Sequence, residues 1–78
     1  MTGCIMYTTD KNRYIDKLCV SGIDLTKIAI FIPHIGETFI DRNSNVEYEV
    51  KDIIRALDGD EYIVQIHLHE RSKRKYNR

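Results

Sequence analysis

The chain has 78 residues, 42% of them apolar, with 12 basic and 12 acidic side chains that cancel at pH 7 when the histidines are neutral. This length allows one domain with a small core, too apolar for disorder and too short to enclose a roomy catalytic cleft, so neither an enzyme nor a cofactor is expected. The neutrality conceals an asymmetry: Arg71, Lys73, Arg74, Lys75 and Arg78 give an acid-free end of +5, and the remaining seven cations and twelve acids leave the body at −5. An acidic body with a basic end is not the all-round basic footprint of a dedicated DNA-binding domain.

Along the chain, CIMYTT at 4–9 reads as a strand rich in β-branched and aromatic residues. Tyr14, Ile15, Leu18 and Cys19 then recur at helical spacing, with Asp10 as a candidate cap and Gly22 as a candidate close, which predicts one or two helical turns. Cys4 and Cys19 form no C-x-x-C pair and no zinc ribbon. No secretory signal pattern precedes them and no apolar run reaches membrane-span length, so free thiols in a cytoplasmic protein are expected. Neither cysteine has the glycine-rich loop or orienting group that a nucleophile needs.

Ile28 to Ile32 is a continuous apolar run and predicts a buried strand, ended by Pro33, which lacks a ladder donor. Gly36 marks a bend, after which Glu37 to Asp41 resumes as strand, and RNSN at 42–45 is turn chemistry in which Asn tolerates left-handed geometry.

VEYEV at 46–50 and YIVQIHLH at 62–69 alternate strictly, and LDGD between them signals a hairpin. A two-residue Asp58-Gly59 turn would send the two apolar sets to opposite faces. A three-residue loop with Gly59 left-handed instead pairs Ala56 with Asp60, Val50 with Ile66, Tyr48 with Leu68 and Ile54 with Tyr62. Asp52 then falls on the apolar face, which predicts a bulge near residues 51–53 that turns Ile53 inward. A helical turn at DIIRAL competes with this reading. Short strands with turn signals between them point to a mainly β fold, a small SH3-like antiparallel barrel or strongly bent sheet over residues 1–70, with 71–78 as a basic tail.

The same register places Glu49 opposite His67 and Glu47 opposite His69 on one outer face. Two imidazoles and two carboxylates there are a conceivable zinc set, yet cross-strand Glu–His pairing is the preferred reading, because structural zinc usually draws on cysteine. No metal is assigned.

Pro33, Gly36 and Glu37, followed by Tyr48 and Val50, carry a resemblance. The segment resembles short bacterial and phage-type β-barrel proteins, mostly without assigned activity, in which P-x-x-G-E opens a strand and Y-x-V follows. The resemblance covers about half the chain and implies a barrel topology, with no activity attached.

The function expected is a non-enzymatic interaction module that presents a sheet face or edge to a protein partner. Ile63, with Ile53 if it points outward, would supply the apolar contact, and Glu47, Glu49, His67 and His69 the rim. A homodimer through the same face is a variant, since so small a chain gains core by pairing. The second expectation is an accessory nucleic-acid binder, with Arg71, Lys73, Arg74, Lys75 and Arg78 on phosphates and Tyr76 stacking a base.

Overall fold

The computed structural model describes residues 2–10, 14–15 and 18–73. Five strands, β1 (Thr2–Thr9), β2 (Val20–Asp24), β3 (Thr38–Asp41), β4 (Val46–Asp58) and β5 (Glu61–Lys73), form one curled sheet, a half-barrel in the order β2-β1-β5-β4-β3. The mainly β, strongly bent architecture is the expected one. It departs from a purely antiparallel sheet in a single pair, because β1 runs parallel to β5 from Thr2↔Glu61 to Thr9↔Leu68.

The core lies on the inner face. Ile5, Val50, Val64, Ile66 and Leu68 have essentially no exposed surface, and Val46, Tyr48, Ile23 and Ile28 complete the buried set. Burying each such side chain contributes roughly 1.5–3 kcal/mol, so a handful of residues carries the stability of the whole sheet.

Two bulges set the hairpin register. Near the loop Asp58 pairs with Glu61, so the loop is Gly59-Asp60, two residues long. Gly59 has φ +63° while Asp60 keeps a negative φ, the pattern of a type II′ turn, which takes glycine at its first central position. The expected three-residue loop and its pairings are therefore replaced by Leu57↔Tyr62, Ile54↔Gln65 and Ile53↔Ile66. The expected bulge is present: the register shifts between Val50 and Asp52, leaving Lys51 as the extra residue. That shift lets Ile53 below it and Val50 above it both face inward. A second shift, between Glu47 and Tyr48, lies opposite Arg71.

Two expectations fail. The predicted Ile28–Ile32 strand is a 3-10 helix over Ile28–Phe31. Upstream, Asp24 accepts the Thr26 N–H on Oδ1 and the Lys27 N–H on its carbonyl, which turns the chain before the apolar run begins. A continuous apolar run has no period of its own and adopts what its flanks impose. Gly22, expected to close a helix, lies inside β2, where it is the extra residue at a register shift against β1. Of the helical turn expected over residues 14–19, Tyr14 instead forms an isolated antiparallel bridge with Thr8, Leu18 has 3-10 geometry with its N–H donating to the Ile15 carbonyl, and residues 16–17 lie outside the described residues. DIIRAL is strand throughout, within β4.

The RNSN turn behaves as expected. Asn45 is left-handed at φ +59°, and the Asp41 carboxylate accepts from the Asn43 N–H and the Ser44 hydroxyl. Gly3 lets the 25–28 segment lie directly on β1, since a Cβ there would run into Ile28 Cδ1. Among the described residues no helix is long and apolar enough to cross a membrane.

The Lys51 bulge yields a sharp test. Deleting Lys51 would make Val50↔Leu68 and Asp52↔His67 consecutive pairs of a regular ladder with the same faces inward, so the variant should keep cooperative unfolding and dispersed methyl resonances. Lys51→Ala, which keeps the extra residue, should stay within about 0.5 kcal/mol of wild type. Ile66→Ala should cost about 2–5 kcal/mol in denaturant titrations.

Candidate functional site

Three surfaces carry exposed chemistry, beginning with the outer face. The observed register moves the Glu–His row by two residues from its expected place: Glu49 lies opposite His69, and Asp52, not Glu49, lies opposite His67. Glu47 is opposite Ser72, and its carboxylate is 3.9 Å from the Arg71 guanidinium. His69 Nδ1 is 2.9 Å from Asp10 Oδ2, with both side chains about half exposed, a surface pair worth at most about 1 kcal/mol. His67 lies between Thr8 and Asp52 in register, and its Nε2 is buried without a hydrogen-bond partner. Among the described residues no three His, Cys, Asp or Glu side chains are arranged to hold a metal ion.

The expected apolar contact is rearranged. Ile53 packs on the inner face opposite Ile66, partly buried against the core, and so drops out of the outer surface. Ile63 does lie on the outer face, between Cys4 and Ala56, but it is half-buried there. The exposed apolar side chains of the hairpin arm are Ile54 (43%) and Leu57 (68%), which the sequence reading did not assign to a site. The signal was the Gly59 turn: with the loop placed correctly, Ile54 falls outward and Leu57 falls at the uncovered tip. Of the basic residues, Arg71 and Lys73 belong to β5, three residues beyond the expected start of the tail, while Arg74, Lys75, Tyr76 and Arg78 lie outside the described residues.

The second surface is a backbone edge. β3 pairs with β4 from Val46 to Glu49, and residues 36–37 extend that cover to Val50, whose N–H donates to the Glu37 carbonyl while its own carbonyl accepts from Gly36. Beyond Val50 no described strand lies on that side of β4. Asp58 and Glu61 flank a two-residue loop and exchange both hydrogen bonds, as do Ala56↔Ile63 and Ile54↔Gln65 by alternation. The backbone groups of Ile53, Arg55 and Leu57 therefore point away from β5. Consistently, the Ile53 N–H is taken by Asp52 Oδ1 at 2.9 Å.

The third surface is a cleft of about 600 Å³ on the open side of the half-barrel, between β1, the start of β2, the 30–34 segment and β3. Tyr7 and Phe39 meet edge to face at 5.9 Å, and Phe39 leans on Tyr48 at 5.8 Å. Phe31, half exposed, and Glu37 also line it. The His34–Glu37 turn holds Glu37 in place. Gly36 supplies φ +94°, the Glu37 N–H donates to the His34 carbonyl, and Glu37 Oε1 accepts the His34 N–H at 3.0 Å. This accounts physically for the P-x-x-G-E spacing. The cleft was not legible as a site, because its walls come from four separate stretches of chain.

Cys4 and Cys19 are both free and partly buried. Burial, then the charges of Glu61 and Cys19, hold the Cys4 thiol above its ordinary value, which disfavours the reactive thiolate. Burial first, then Glu37 and Cys19, likewise raises the Tyr7 hydroxyl. A raised folded-state value means stability present below the unfolded value of about 10 and lost as pH climbs through the folded one. Tyr7→Phe should therefore flatten the fall in melting temperature above about pH 10 relative to wild type, read by thermal melts across pH 8–11.5. An unchanged alkaline slope would count against it. No family model, curated protein or solved structure matches the chain.

Proposed function

We propose that this protein is a non-enzymatic interaction module that takes an extended segment of a protein partner along the free edge of β4. The observation that carries the reading is the uneven cover of that strand. β4 is paired with β5 along its whole length, yet beyond Val50 its other side has no described neighbour. Exposed backbone donors and acceptors on a strand edge are a template for strand addition: main-chain bonds supply affinity, and alternate side chains supply selection. Here Arg55 and Leu57 lie on the inner side of the arm and Ile54 on the outer side, so an incoming strand would meet apolar contacts on both faces and one cation. A second copy pairing through the same edge is the homodimeric form of this reading. The two free thiols fit a reducing, cytoplasmic setting.

Amide exchange tests the edge directly. In the dilute free protein, the Arg55 and Leu57 amides should exchange at least about tenfold faster than those of Ile54 and Ala56, which bond to β5. Bound partner should slow the first pair. Arg55→Pro and Leu57→Lys, at exposed edge positions, should abolish partner capture while leaving the circular dichroism spectrum unchanged. Arg55 and Leu57 amides already protected in the monomer would refute the proposal, as would capture that survives both substitutions.

A further inference from the structure

The cleft is lined by no residue of the β4 edge, and its chemistry is more selective than its apolar walls suggest. Its volume of about 600 Å³ falls within the range of small-ligand sites, roughly 300–1,000 Å³. Among the described residues its lining includes three aromatic side chains, Tyr7, Phe31 and Phe39, and one carboxylate, Glu37, but no lysine or arginine. Aromatic faces carry negative electrostatic potential, so rings and carboxylate act with the same sign. The His34 side chain stands in solvent, 96% exposed, with its ring 4.0 Å from Glu37 Oε1.

We infer that this cleft binds a small organic cation, an apolar body carrying an ammonium group, with Tyr7, Phe31 and Phe39 around the body and Glu37 facing the charge. Glu37 suits this role because its backbone is tied to Val50 and one oxygen is held by the His34 N–H, which leaves the other free to meet a ligand without reorganisation. The reach of its field is already visible inside the cleft, where Glu37 is second only to burial in holding the Tyr7 hydroxyl protonated. An anionic ligand would meet the same field as repulsion.

The test is an NMR titration of the full chain with three probes of matched shape: benzyltrimethylammonium, its neutral carbon analogue neopentylbenzene, and the anion phenylacetate. Benzyltrimethylammonium should bind most tightly, shift the resonances of Tyr7, Phe31, Glu37 and Phe39, and weaken as salt is raised. Glu37→Gln, which keeps an acceptor for the His34 amide, should weaken the cation about five- to tenfold and the neutral probe less than about twofold. Phe31→Ala, at a half-exposed position, should weaken both probes without unfolding the chain. Equal or tighter binding of neopentylbenzene or phenylacetate would overturn the inference. So would shifts that map outside the cleft, insensitivity to salt, or binding only when the ammonium group is carried on a peptide.

Discussion

Val64, Ile66 and Leu68 stand in a row on β5 with no surface left to water, held by β1 on one side and β4 on the other. A strand paired on both sides and buried on one face has no freedom of register, because a slip of one residue would exchange this row for Ile63, Gln65 and His67. The other elements adjust to it. β4 inserts Lys51 so that Ile53 and Val50 can both meet the row, and β2 inserts Gly22 to follow β1. Gly3 omits a side chain so that Ile28 can close over one end of the core. The irregularities of the sheet are thus accommodations to one fixed strand.

How much of this was legible depended on range. The alternation in VEYEV and YIVQIHLH identified both hairpin strands, and the misplaced Asp52 in a simple pairing disclosed the bulge before the structure located it at Lys51. Register was harder, because Asp58-Gly59-Asp60 supports several loops and the choice rested on where glycine falls in the turn. β2 and the 3-10 segment were missed for a different reason. Both are short and weakly patterned, and their form comes from contacts with β1 and from the Asp24 turn. The parallel β1–β5 pair left no local trace at all, since Ile5 and Val64 meet only in the folded chain.

The functional surfaces follow the same division. The Glu–His row was visible as a pattern but displaced by the turn, and in place it forms ordinary surface pairs rather than a ligand set. The β4 edge becomes visible only once β3 is known to begin at Thr38, opposite Glu49. It is also partly guarded: the bulge at Lys51 twists it, and the Asp52 carboxylate occupies one of its amides. Such partial protection suits a strand that must accept a chosen partner without pairing indiscriminately.

The parallel pairing of β1 with β5 also has a consequence during synthesis. β1 is made well before β5, and Ile5 has no neighbour on that side until Val64 arrives. At about 5–20 residues per second the interval is roughly 3–12 s. Through that time the nascent chain holds Ile5 and Tyr7 without their final neighbours. Closure of the sheet therefore waits for β5, and a ribosome stall before it would leave the β1–β2 and β3–β4 pairs without the strand that joins them.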